Sequence, residues 1–471
     1  MRQNENKLTE HKICRELKTL NLYVPFQEIV VEKCLRSIHP KLTYDTKSIF
    51  IASIKFFFEN LFSNQLFLSK LVDYISYLNS NSSGTIENII QTKFFKEKIA
   101  SFYDENTLYI PILIYFDGFE CLNAVGFHTG TYSIEAVYIK LGVLPPEFNS
   151  KLDFIWPLQF AFTLDIDSIG NQKAYQNIII DLNFLFDTGI DINFKNFKKV
   201  RFVVTHLVGD NKAVHKLHNF VANFSKANYF CRLCKSNKLE ISSQFSENIC
   251  LYRNNENYMT DINLNNASLT GIHAKSVFCN LKNFHPIDNS YVDVMHDVLE
   301  GVAKYAMPRI ISHFIAQKYF SLHTLNKIIL DFDYLCANNK LDSITKEHLT
   351  IFKIKSSASE MHNLVMHFNL MVGDLVNEDN EFWILYLMLR KIVHFVCKNS
   401  YEKFTPYIFN QYVVEFNMLY FKLCGTLKYK FHLLNHYKNL MLKFGPLISF
   451  STMRFESKHK IFKDIIHNSC N

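Results

Sequence analysis

Glycine and proline are scarce in this chain, at 13 and 10 of 471 residues, and tryptophan occurs only twice. So few turn-forming residues disfavour a turn-rich all-β architecture and exclude collagen-like or Pro/Gly-rich disordered chains. Long apolar runs are missing too. No stretch reaches the ~20 residues that span a bilayer. The most apolar segment, Phe382 to Cys397, is broken by Arg390, Lys391 and His394. The opening MRQNENKLTEHK is too polar for a secretory leader. Strong charge of either sign is also lacking: a net +7 suits a polyanionic partner without demanding one. Eleven cysteines without secretory context point to free thiols and metal ligation rather than disulfides. The expectation is an intracellular, soluble protein with no membrane role. Its length suits one large domain with an insertion, or two to three ordinary domains.

Phenylalanine, by contrast, is abundant (44 residues), which favours helices and aromatic packing. Periodicity predicts helices over most of residues 1–103, for example from Lys47 to Leu78, with a polar loop at Asn79 to Gly84. The pattern then changes. LYIPILIYF, Leu108 to Phe116, has the short β-branched apolar character of a buried strand and is predicted to stop at Asp117-Gly118. SIEAVYIKLGVLP and WPLQFAFTLDI read as two more strands, and NQKAYQNIIIDLNFLFDTG as a helix. KKVRFVVTHLV, Lys198 to Val208, is another buried strand, ending at Gly209-Asp210. Strand signal fades from about 236 to 430, where helical patterns dominate. The tail reads as two helices around the breaker pair Gly445-Pro446. The predicted class is therefore α/β, and no internal repeat is visible.

Three constellations can carry chemistry. Asp117 and Asp210 each close a buried strand, and acids at the carboxyl ends of neighbouring strands project into a common crevice. With a third acid from a helix, such a pair can hold divalent ions through oxygen ligands. Asp-Gly and Gly-Asp are equally ordinary turn signals. Second, Cys231-Arg232-Leu233-Cys234 is a C-x2-C knuckle, and His432 and His436 share one helix face; together they make a tetrahedral N2S2 zinc set. A pair of buried thiols would look the same as the knuckle alone. Third, YVDVMHDVLEG places Asp293, His296, Asp297 and Glu300 at helical spacings. The plainer reading is a solvated or internally bonded helix face, and Glu300 stands as a rival third acid. Basic residues cluster at KNFKKVR, Lys195 to Arg201, and along RFESKHKIFK, Arg454 to Lys463.

In order and spacing these pieces resemble the transposases of the CACTA/EnSpm type and the related Transib and V(D)J-recombinase catalytic cores, with the local match closest to transposase-like proteins of animal mobile elements. The resemblance is carried by YFDGFECLNAVGFHTG, VVTHLVGDNKAVH, ANYFCRLCK, VDVMHDVLEGV, KYKFHLLNHY and MRFESKHK, and covers most of the chain from about residue 108. The knuckle follows Asp210 by twenty-one residues, and His436 precedes Glu456 by twenty. The histidine spacing is H-x3-H, where the V(D)J relative has H-x4-H. The resemblance implies an RNase H-like mixed sheet interrupted by a large, mostly α-helical insertion and preceded by a helical N-terminal region. Its parts would be the N-terminal region (1–104), the first part of the core with the knuckle (105–235), the insertion (236–425) and the core completion (426–471).

It further implies that Asp117, Asp210 and Glu456 hold two Mg2+ or Mn2+ ions for strand cleavage and strand transfer on DNA. The three carboxylates are expected to lie within a few ångströms of one another. Cys231, Cys234, His432 and His436 would bind a structural Zn2+. A homo-oligomer and a nuclear location are expected on the same ground, without a clear import signal. Residues 1–107 contain only Cys14 and Cys34 and no zinc-finger spacing. That departure keeps open an alternative, a catalytically inactive or domesticated derivative that binds DNA or protein.

Overall fold

Ten consecutive residues, Thr107 to Phe116, are buried along strand β4 (Thr107–Glu120), and the run ends at a half-buried Asp117. Such continuous burial needs neighbours on both edges and both faces, and the computed structural model supplies them. It describes residues 10–20, 22–38, 41–81, 83–120, 133–334 and 340–469; residues 121–130 of the YFDGFECLNAVGFHTG motif lie outside these.

Seven strands form one mixed sheet in the order β1-β2-β6-β5-β4-β8-β7. The strands not yet placed are β1 (Gln27–Ile38), β2 (Lys41–Ile51), β5 (Ser133–Leu141), β6 (Trp156–Phe162), β7 (Ile190–Phe194) and β8 (Phe197–Val208). A separate pair, β3 (Thr85–Ile86) and β9 (Tyr401–Glu402), ties the N-terminal part to the helical part. Among the described residues only β4 and β8 pair in parallel, and Tyr115 stands on the same rung as Val208. Asp117 and Asp210 therefore each lie two residues beyond that rung, at the carboxyl ends of adjacent strands. The crossover between them runs through the helix Thr163–Asp187, which kinks at Gly170, where φ is +76°.

The N-terminal region departs from the sequence expectation of helices alone. Gln27–Ile38 and Lys41–Ile51 pair antiparallel as β1 and β2, and Ile49, Phe50 and Ile51 pair with Ala161, Phe160 and Gln159 of β6. The apolar run around Lys47 suits either a helix or a strand by periodicity; an open sheet edge decides it. True helices follow at Ile54–Ser63 and Gln65–Ser80. Strand β4 also continues through Asp117-Gly118 to Glu120, because Asp117 to Glu120 pair with Ala136 to Ser133 of β5. WPLQFAFTLDI is strand only to Phe162, and β7 joins β8 as a hairpin that the sequence reading passed over.

The abundant phenylalanines do the packing. Phe58 stacks on Phe202 at 4.4 Å between ring centroids and meets Phe62 and Trp156 edge-on. On the other side of the site Tyr115 stacks on Phe455 at 4.7 Å, seating the terminal helix Met453–Ser469 on the sheet. Residues 236–430 are mostly helical, including Ala303–Ala316, Ala358–Val372, Glu381–Val396 and Thr405–Cys424. Among the described residues no helix is long and apolar enough to cross a membrane.

Candidate active site and metal centre

Tyr115 and Asp117 are two apart on β4 and so share a face. Tyr115 Oη donates to Asp117 Oδ2 at 2.8 Å, and the Gly118 N–H donates to Oδ1 at 2.8 Å. His459 of the terminal helix brings Nε2 to 3.3 Å from Asp117 Oδ2, with Nδ1 3.1 Å from Tyr138 Oη. Burial opposes ionisation of Asp117, but His459, Tyr115 and the Gly118 amide together hold its carboxyl below the usual range. Asp210 plays a local role as well: it caps the helix Asn211–Leu217, its Oδ1 accepting from the Ala213 N–H at 2.6 Å.

Close approach of the two strand ends requires glycine. A Cβ on Gly209 would stand 2.8 Å from the Phe116 carbonyl oxygen. Tyr291 clamps the same residue, accepting from its N–H at 2.7 Å and donating to its carbonyl at 2.6 Å. Asp117, Glu135, Tyr175, Asp210, Lys212 and Lys216 line one open cavity of about 170 Å³ at this end of the sheet.

Glu456 approaches from the first turn of the terminal helix. Its Oε1 is 3.3 Å from His296 Nε2. Burial, then the charges of Asp117, Asp293 and Glu300, push its carboxyl up to about 7 against the pull of His296. Burial disfavours the His296 cation, yet Asp293, Glu456 and Asp210 raise it to about 9. His296 thus sits among the acids as a cation. Glu300 instead lies 3.3 Å from Lys304, while the charge of Glu456 meets that of Asp117, as does that of Glu135 on β5.

The segment around His296 is neither solvated nor a regular α-helix. Met295–Val302 is a π-helix, with Asp293 and Asp297 buried. Asp293 accepts from the Thr452 N–H at 3.1 Å and the Thr452 hydroxyl at 2.7 Å, and lies 2.5 Å from His296 Nδ1. Those bonds dock the N-terminus of the glutamate-bearing helix. Sequence reasoning missed His296 and His459 as neighbours of the acids. The one available signal was Glu456-x-x-His459, an i, i+3 pair that faces the sheet together.

The metal-type cluster is buried. Cys231, Cys234, His432 and His436 are all buried, and one ligand atom from each lies within 4.8 Å of all the others. Cys231 Sγ is 3.8 Å from His436 Nε2, Cys234 Sγ is 3.3 Å from His432 Nε2, and the two Nε2 atoms are 3.2 Å apart. A tetrahedral ion with bonds of ~2.3 Å to sulfur and ~2.1 Å to nitrogen sets its ligands roughly 3.3–3.8 Å apart. The cluster can therefore hold a metal ion and is compatible with structural zinc. Glu247 orients it from behind, 2.7 Å from His436 Nδ1. Among the described residues this is the one group of three or more potential ligands gathered so tightly.

The two centres are wired together. Arg232, inside the knuckle and buried, donates through Nη1 to Asn211 Oδ1 at 2.6 Å and through Nη2 to the Tyr291 carbonyl at 2.7 Å. Asn211 Nδ2 donates to Asp297 Oδ1 at 2.5 Å, and Asp297 Oδ2 accepts from the Asp293 N–H at 3.2 Å. Replacing Arg232 by Met strands these acceptors in a low-dielectric interior, with an expected loss of about 3–5 kcal/mol. Urea unfolding measures it; a change under about 1 kcal/mol would show the network to be slack. A scan against protein-family models and a search of curated proteins find no match to this chain.

Proposed function

We propose that this chain is the catalytic core of a DDE-type DNA transposase on an RNase H-like fold, with Asp117, Asp210 and Glu456 as its metal-binding acids. The observation that carries this reading is the placement of two aspartates at the carboxyl ends of the parallel strand pair β4 and β8, with a glutamate from a late helix turned toward them. The meander β4-β5-β6 beside β8 supports the fold assignment. The donor set is all oxygen, which suits a hard divalent ion. Under this reading the three acids would share two ions roughly 3.5–4 Å apart. When bound, Mg2+ or Mn2+ would activate a water or 3′-hydroxyl and stabilise the leaving 3′-oxygen.

The chain's own groups position the rest. Tyr115 and the Gly118 amide fix the Asp117 carboxylate, and the helix cap fixes Asp210. Lys212 and Lys216 offer positive charge to a phosphodiester entering the cavity. The Cys2His2 cluster binds Zn2+ and pins the helical segment, residues 236–425, to the sheet. DNA is the partner under this reading, with a homo-oligomer and nuclear location.

A second reading, a catalytically silent derivative, draws on one observation: His459 and His296 already stand against Asp117 and Glu456. Histidines partnering the acids reduce their need for a cation. The test is cleavage and strand transfer on duplex DNA carrying the sequences that flank the gene, with Mg2+ or Mn2+, comparing wild type with Asp210→Ala. A metal-dependent activity that falls at least about a hundredfold in the variant is the expected result. Inactivity of folded wild type on all such DNA would leave the silent derivative as the better reading.

A further inference from the structure

A second cavity shares no lining residue with the acid crevice. It lies beside the N-terminus of the terminal helix, holds about 480 Å³, and is lined by Lys140, Asn88, Ser150, Ser449, Ser451 and Arg454 among others. Lys140 belongs to β5 and shares the face of Tyr138, the face covered by the terminal helix. Its side chain is 94% buried, since only 6% of its surface is exposed. Among the described residues, no hydrogen bond or ion pair engages it. Buried lysines are ordinarily paired, because an isolated ammonium loses its hydration on burial.

The structure assigns to this cavity a phosphate-binding site, with Lys140 at its floor and Arg454 at its mouth. An anion there would satisfy a cation that the protein leaves without a partner. Arg454 is exposed and donates to the Ser150 carbonyl, which holds it at the rim. Burial first, and then repulsion from Arg454, push the lysine down to about 8. The one carboxylate in the lining, Glu87, is engaged elsewhere, accepting from Tyr77 Oη and Asn81 Nδ2 at 3.0 Å each. Hydroxyls of Ser449 and Ser451 add neutral donors to the wall.

Two cations and several neutral donors in a space this large suit a tetrahedral oxyanion better than a planar carboxylate. The phosphate can come from a nucleic-acid backbone or from a free phosphate or mononucleotide. Lys140 pairs with Leu113 on β4, four rungs from Asp117, so the site lies about 14 Å along the strand from that acid. The assignment does not depend on the transposase reading.

Thermal unfolding of the full chain, titrated with inorganic phosphate against chloride at matched ionic strength, tests it. Phosphate is expected to raise the wild-type Tm, and Lys140→Met to weaken the apparent affinity at least tenfold. Without phosphate, K140M should melt at or above wild type, because it removes an unpaired buried cation; should it melt lower, Arg454→Gln at the exposed rim carries the same comparison. A Tm indifferent to phosphate in wild type, or the same phosphate response in wild type and both variants, would overturn the assignment. A ten-nucleotide single-stranded DNA that competes with phosphate supports the backbone as source. Phosphate binding without such competition supports a free phosphate or mononucleotide.

Discussion

Zinc removal is expected to cost this protein its fold. The four ligands come from a loop and a helix about two hundred residues apart in sequence, and all are buried. Without an ion, two thiols and two imidazoles crowd one another at 3.2 to 3.8 Å in a buried site. Structural Zn2+ contributes on the order of 10 kcal/mol in small domains, more than the net stability of most proteins. The purified chain should therefore carry one zinc, released by a chelator only as cooperative unfolding proceeds. Cys231→Ser should yield insoluble or molten protein, whereas Cys14→Ser should behave as wild type. Glu247→Gln, which weakens the support behind His436, should lower zinc affinity by about 10–100-fold. Metal analysis and circular dichroism read all of these. A zinc-free preparation with an unchanged Tm would remove the ion from the account of this fold.

The second large effect is on acid stability. His215 and His218 are fully buried and held at about 3, by burial first and then by Arg232. His206, enclosed by Phe444, Phe450 and Tyr291, is pushed well down by burial and then by Lys443 and Lys98. Their folded-state values lie below the ~6.5 of the unfolded chain, so the unfolded state takes up protons first as pH falls. Stability is then fully present above pH ~6.5 and lost below it, by about 2 kcal/mol per histidine at pH 5. Three such groups would spend about 6 kcal/mol, so unfolding is expected near pH 4–5. Despite burial, hydrogen-bonded partners hold Asp117 and Asp293 below the usual carboxylate range, so their contribution is lost in the same direction at lower pH.

Denaturant unfolding at pH 7 and pH 5 measures the loss. His206 lies outside the metal cluster, and neither of its ring nitrogens has a hydrogen-bond partner among the described residues. His206→Leu should therefore recover about 2 kcal/mol at pH 5 without altering zinc content. Equal stability at the two pH values would show that these histidines reach solvent in the native state.

Local chemistry made much of this molecule legible from the sequence. LYIPILIYF and VRFVVTHLV could be read as buried strands because β-branched apolar runs of that length have few other uses. Asp117, Asp210, the C-x2-C knuckle and the H-x3-H pair could be read because strand ends, tight loops and helix faces dictate where short spacings point. The meeting of knuckle and histidines, by contrast, was only chemical plausibility until the fold closed a loop of about two hundred residues. Tertiary structure alone decided that Gln27–Ile38 and Lys41–Ile51 pair as strands, since the open edge of β6 and not local propensity chose between helix and strand. It likewise buried Asp293 and Asp297 instead of leaving a wet helix face, and set His296 and His459 against the acids. Periodicity reports which face of a segment is apolar. Which charged group a neighbour will bring to that face depends on packing between distant segments, and that information exists only in the assembled chain.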